Sequence, residues 1–134
     1  MRILLAIILA ALPSGLCIAQ GASGATDLEC HGTYSNYSSA NIREIAVSGI
    51  YIKVSNDSVK VHGTMGLDAN YSVTNRQENG IGIQLASNAA FSGFLNRFSG
   101  QLSLMERDGA VKPDGSFQVR QILNAICAKA SSIF

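Results

Sequence analysis

Histidine and cysteine, the residue types that most often bind metals or act as nucleophiles, are sparse in this chain. Its only histidines are His31 and His62, and neither has a spacing such as H-x-H or H-E-x-x-H that would bring two imidazoles to one metal ion. His31 follows Cys30, but neighbouring residues of a strand point to opposite faces of the sheet. We therefore expect two surface histidines, no metal site and no cofactor.

The nine acidic residues are scattered along the sequence, and several of them stand in turn-like segments. The sequence contains no G-x-S-x-G motif, no phosphate-binding glycine loop and no C-x-x-C motif. A hydrolase that uses two carboxylates stays open, because such pairs form in space rather than in sequence. The sequence therefore predicts no catalytic residue.

Asn96 and Arg97 are the two residues that we single out as possible ligand contacts. Asn96 falls between two phenylalanines of the same parity, which predicts an amide on a buried face. A buried amide needs hydrogen-bond partners, so Asn96 either bridges structural groups or contacts a ligand, and we favour the structural role. Arg97 has the opposite parity and, beside Ser99, could bind an anion.

The elements that would position these residues are strands, because apolar and polar residues alternate with a period of two. This alternation recurs in five short stretches, at residues 28–34, 50–55, 59–62, 71–74 and 81–85. Typical turn sequences stand between or after them, at residues 55–58, 79–80 and 112–115.

The longest alternation runs from Ser92 to Glu106 and predicts one long strand that bends or bulges at Gly100. Residues 117–127 fit both a helical stripe and a strand. We favour the strand, because it follows a turn and places Cys127 on the buried face beside Cys30. A last strand bonded to the first would close the sheet.

The predicted fold class is all-β, an antiparallel meander of seven to nine strands that forms a small closed or partly open barrel. Closure is favoured because it removes exposed strand edges. An open sandwich is the alternative.

The N-terminus has the three regions of a secretory signal, which would form an N-terminal signal helix. A basic start, Met1-Arg2, precedes an apolar run from Ile3 to Leu12, and small residues around Ala19 fit a cleavage site. The apolar run is half of the ~20 residues that a membrane-spanning helix needs. We predict a signal peptide at residues 1–19, a flexible linker at 20–27 and one β domain at 28–134, located in the periplasm or outside the cell.

The cysteines and the charge balance follow from this cleavage. Cys17 leaves with the signal peptide, so Cys30 and Cys127 remain and are expected to form a disulfide in an oxidising compartment.

The loss of Arg2 reduces ten basic residues to nine, against nine acidic ones. Such a balance gives no electrostatic footprint for nucleic acid or for an anionic membrane. We expect a monomer that binds neither.

Two short motifs and a closing cysteine resemble a pattern in small exported bacterial proteins of unknown function. The pattern is C-x-G-[ST] early in the chain, G-x-[apolar]-[ND]-R-x-[ST]-G later and a cysteine near the end. Here it corresponds to residues 30–33, residues 93–100 and Cys127, with Phe134 as the terminal residue. The resemblance implies export and a disulfide-linked β domain. It implies no activity and no catalytic residue.

The sequence thus favours a non-enzymatic binding protein, with a small apolar ligand or a protein partner, over a small exported hydrolase. The sequons at Asn36, Asn56 and Asn70 leave open whether they are glycan sites or chance matches.

Overall fold

The computed structural model describes residues 24–38 and 43–130. The predicted signal peptide lies outside the described residues, as do residues 20–23 of the predicted linker. Within the described ranges, no helix is long and apolar enough to cross a membrane. The described residues form eight strands, β1 (Thr26–Asn36), β2 (Arg43–Val54), β3 (Ser58–His62), β4 (Ala69–Arg76), β5 (Gly80–Leu85), β6 (Asn88–Asn96), β7 (Gln101–Asp108) and β8 (Gln118–Lys129). Because β1 begins at Thr26, the last two residues that we assigned to the linker belong to this strand.

The strands form a closed antiparallel barrel in which each pairs with its neighbours in sequence and β8 pairs with β1. This confirms the all-β meander and closure, and residues 118–129 form a strand rather than a helix. The seam between β1 and β8 runs in register from Leu28 opposite Lys129 to Asn36 opposite Gln121. The Cys30–Cys127 disulfide crosses this seam between directly paired residues.

Alternation along each strand fills the interior of the barrel with apolar side chains. Ile50, Val59, Leu104 and Leu123 are completely buried, and the hydroxyl-bearing ring of Tyr71 is buried among them. An eight-stranded barrel is narrow enough for its own side chains to fill it. Because the core fills the interior, space for a ligand is found at the ends of the barrel rather than along its axis.

The predicted long strand from Ser92 to Glu106 is wrong, because the chain reverses direction at residues 97–100 and forms the hairpin of β6 and β7. The side-chain oxygen of Asn96 accepts hydrogen bonds from the backbone N–H groups of Phe98 and Ser99. Gly100 has a φ of 72°, a conformation that favours glycine. These local turn preferences override the sequence alternation.

The turn also changes which face each side chain takes. Leu95 is buried, whereas Phe94 lies on the outer face of the barrel. The Phe94 ring covers Gly80 so closely that a Cβ atom on Gly80 would lie 2.6 Å from it. The prediction that Asn96 belongs to the buried apolar face is therefore corrected. An aromatic ring over strand glycines compensates for their missing side chains.

The two ends of the barrel differ. At one end, called the closed end, the segment between β3 and β4 folds over the barrel and inserts the fully buried Leu67 into the core. The hydroxyl of Tyr71 donates to the Leu67 carbonyl at 2.7 Å, and Gln121 Nε2 donates to the Gly66 carbonyl at 3.4 Å. The other end, called the open end, carries the short turns at residues 55–57, 77–79 and 97–100.

Candidate functional site

A concave pocket of about 580 Å³ lies at the open end of the barrel, and we call it the open-end pocket. Its volume is in the range of about 300–1,000 Å³ that small-molecule sites occupy. Strand ends and turns supply its lining, which consists of residues 24, 26, 28, 54–56, 76, 81, 95–100 and 127–129. The pocket thus draws on β1, β2, β4, β5, β6 and β8.

The wall of the open-end pocket is apolar where it meets the core. Leu28, Val54, Ile81 and Leu95 line it, and the last two are almost fully buried. Core residues such as Leu102 are completely buried and pack behind this wall. A ligand would therefore contact the end of the hydrophobic core without entering the barrel.

Three cationic residues, Arg76, Arg97 and Lys129, also line the open-end pocket, and its lining includes no aspartate or glutamate. In the described part of the chain, none of the three forms a salt bridge. Arg76 Nη2 lies 3.5 Å from the carbonyl oxygen of Ser55, so this side chain reaches towards the β2–β3 turn. The pocket thus combines apolar contacts with an excess of positive charge.

The carboxylates at the same end of the barrel lie outside this lining. Asp27 pairs with Lys53 at 3.9 Å on the outer side of β1 and β2. Asp57 and Glu78 belong to the turns at residues 55–57 and 77–79, and both are exposed. The positive charge of the pocket lining is therefore local.

Phe98 stands on the turn that borders the open-end pocket, and 79% of its surface is exposed. It is the most exposed of the large hydrophobic side chains that the structure describes. The turn that carries it is held by the two hydrogen bonds to Asn96 and by the Arg97 N–H, which donates to the Asn79 carbonyl at 2.7 Å. An exposed aromatic ring on an ordered turn can contact a bound molecule at little entropic cost.

The structure therefore places both predicted contact residues at one site but gives them different roles. The side-chain oxygen of Asn96 accepts two hydrogen bonds within the turn, as the favoured structural role requires. Arg97, in contrast, is exposed in the pocket lining. Sequence analysis missed Arg76 and Lys129. They are far apart in sequence, and only the closed meander brings the ends of β4 and β8 together.

The closed end of the barrel holds a network of hydrogen-bonded polar side chains. The Tyr34 hydroxyl donates to Gln121 Oε1 at 2.6 Å, and Gln121 Nε2 donates to Glu106 Oε2 at 2.6 Å. Arg120 then pairs with Glu106 at 3.2 Å and with Asp108 at 2.9 Å. Because each carboxylate already has a cationic or amide partner, this network serves the structure of the barrel end.

A shallower pocket of about 490 Å³ lies beside this network, between the start of β8 and residues 37–38. Its lining includes Arg120 and Asp108, which neutralise each other, with Tyr37 and Ile122 as apolar surface. This pocket offers no excess charge for a ligand.

His62 and Asp68 are close at the closed end, with 3.6 Å between Nδ1 and Oδ2. Burial raises the pKa of Asp68, but hydrogen bonds from Thr64 and from the Gly63 N–H, with the charge of His62, outweigh it and lower this pKa. The Thr64 hydroxyl also accepts from the Leu67 N–H at 3.0 Å. Asp68 and Thr64 therefore shape the segment that carries Leu67.

The other histidine, His31, also belongs to no group of described residues that could bind a metal ion. His31 lies on the exposed outer face of β1, opposite in direction to the buried Cys30. Within residues 24–38 and 43–130, no group of three or more His, Cys, Asp or Glu residues could hold a metal ion.

Comparisons of the chain with protein families, with curated proteins and with solved structures found no match.

Proposed function

We propose that this chain is an exported, non-enzymatic binding protein that holds a small ligand in the open-end pocket. The observation that carries the proposal is a concave site of about 580 Å³ with an apolar wall, cationic side chains and an exposed aromatic residue at its border. Small-molecule sites are typically concavities of this size in which apolar contacts combine with polar groups that orient the ligand.

Export is part of the proposal and rests on two features. The first is the predicted signal peptide at residues 1–19. The second is the Cys30–Cys127 disulfide, because disulfides persist in oxidising compartments such as the periplasm and the cell exterior.

A binding protein is better supported than the exported hydrolase. Hydrolases of the two-carboxylate kind need an acid and a base that face a substrate cleft. Here Glu106 and Asp108 share the guanidinium of Arg120, and Glu106 also accepts from Gln121. A concave site likewise favours a small ligand over a protein partner, which would need a larger and flatter surface.

The proposal predicts that the neutral, apolar dye Nile red binds to the oxidised mature protein with one-to-one stoichiometry and increased fluorescence. Phe98→Ala should weaken this binding, roughly tenfold if about 1.4 kcal/mol of aromatic contact is lost. Phe117→Ala is the matched control, because Phe117 is an exposed phenylalanine at the opposite end of the barrel. Equal weakening by both substitutions, or no saturable binding, would contradict the proposal.

A further inference from the structure

We infer that the ligand of the open-end pocket is a single-chain amphiphile with an anionic headgroup, such as an alkyl carboxylate. This inference rests on the proposed function and adds the chemical class of the ligand. It follows from the way in which the pocket lining is divided between an apolar wall and a set of cations.

The apolar wall selects for a ligand with a hydrocarbon part. Ile81 and Leu95 are largely sequestered in the core, whereas Leu28 and Val54 are only partly buried, so they keep apolar surface at the mouth of the barrel. Burial of this surface under a ligand removes it from water, which is favourable in proportion to its area. The exposed ring of Phe98 offers further apolar contact from the turn.

The cations select for an anionic group on the same ligand. Three of the basic side chains, Arg76, Arg97 and Lys129, line this one pocket, and no carboxylate in the lining balances them. The whole chain has ten basic and nine acidic residues, so its average charge does not explain this local excess. An anion in the pocket would supply the missing negative charge and accept charge-assisted hydrogen bonds.

The proximity of the two features favours a ligand that has both of them over a ligand that has only one. A small inorganic anion would leave the apolar wall in water, and a pure hydrocarbon would leave the cations without a counter-charge. Because core side chains fill the barrel behind the wall, the hydrocarbon part would lie across the mouth rather than along the axis.

The test compares three probes by isothermal titration of the oxidised protein at low salt: decanoate below its micelle concentration, decanol and acetate. Decanoate should bind roughly tenfold more tightly than decanol, because exposed ion pairs contribute up to about a fivefold gain each. This preference should decline as salt is added, since salt screens exposed charges. Acetate should bind far more weakly than either.

Charge variants locate the effect. Lys129→Gln and Arg97→Gln should each weaken decanoate binding roughly two- to fivefold and should weaken decanol binding less, because decanol carries no charge. Lys112→Gln is the matched control for Lys129→Gln, because Lys112 is an exposed lysine in the β7–β8 connection at the closed end. An equal loss in Lys112→Gln would assign the preference to overall charge and overturn the inference.

The other outcomes separate the inference from the proposed function. If decanol and decanoate bind equally and Nile red still binds, the pocket is a ligand site without anion selectivity and only the inference fails. If neither amphiphile nor Nile red binds, the proposed function fails as well. Binding to vesicles of an anionic phospholipid without binding of monomeric decanoate would identify a membrane-docking surface and overturn the inference.

Discussion

Tyr71 shows how a single residue connects the core with the closed end of the barrel. Its ring is fully buried and its hydroxyl donates to the Leu67 carbonyl, which fixes the segment that closes this end. Burial, with the negative charges of Asp68 and Glu106, raises the pKa of Tyr71 from 10.0 to about 12. Ionisation of the Tyr71 phenol is therefore disfavoured in the folded protein.

This shift makes the stability of the protein depend on alkaline pH. Between the ordinary pKa of 10.0 and the folded value of about 12, the unfolded chain loses the phenolic proton while the folded protein keeps it. The stabilisation is complete below the lower value and is lost as the pH rises to the higher one. We expect the free energy of unfolding, measured with denaturant, to fall over this window.

Tyr71→Phe should make the alkaline decline less steep. At neutral pH the same substitution should cost about 1 kcal/mol, because the Leu67 carbonyl loses its donor. Tyr51→Phe is the control, since Tyr51 is half exposed on the outer face of β2. If Tyr71→Phe left the alkaline decline as steep as in the wild type, Tyr71 would not be its source.

At Gly32, β1 lies too close to β8 to leave room for a side chain. A Cβ built on Gly32 would lie 2.0 Å from the carbonyl oxygen of Asn124 and 2.5 Å from the Cα of Ala125. Both are backbone atoms of β8, which cannot move without loss of the register that closes the barrel. Gly32 is therefore required by the seam.

Gly32→Ala should destabilise the protein by about 1–3 kcal/mol or more, the usual cost of overpacking a tight interior. Gly82→Ala is the matched control on β5, because its nearest atoms would be 3.4 Å away, at an ordinary contact distance. Thermal unfolding of the two variants gives the comparison. Equal melting temperatures would show that the seam can separate to admit a methyl group.

The strands could be predicted from the sequence where a short alternating stretch was bounded by typical turn residues. Alternation with typical turn residues was sufficient for β3, β5 and the turn at Pro113. It failed between Ser92 and Glu106, because the same parity continued through a tight turn. That turn depends on an Asn side chain and on a glycine with positive φ, which interrupt a strand without changing its hydrophobic pattern.

The candidate site was less predictable than the fold, because it is made by closure. Arg97 could be singled out from its neighbours, but Arg76 and Lys129 join it only when the meander brings the ends of β4 and β8 to the same end of the barrel. No spacing in the sequence encodes that proximity. Once the strand order is known, it is clear that the carboxyl ends of β4 and β8 lie at the open end of the barrel. The cationic residues at these two strand ends can then be assigned to one site.

At the scale of the whole molecule, one covalent bond joins the two ends of the fold. Cys30 and Cys127 are 97 residues apart and belong to the first and last strands. In the chain-entropy treatment, a loop of about this length stabilises the folded state by roughly 4–5 kcal/mol. Small domains have total stabilities of about 5–15 kcal/mol, so this contribution is a large part of the whole.

Cys30→Ala combined with Cys127→Ala should therefore lower the free energy of unfolding by roughly 4–5 kcal/mol, measured by denaturant titration. Reduction of the wild type with dithiothreitol should cause a similar loss, whereas the reductant should leave the double variant unchanged. A barrel that depends on its disulfide to this extent would be less stable in a reducing compartment, which is the physical reason to connect the disulfide with the proposed export. If the double variant were as stable as the oxidised wild type, the hydrogen-bonded seam alone would be sufficient and that connection would be lost.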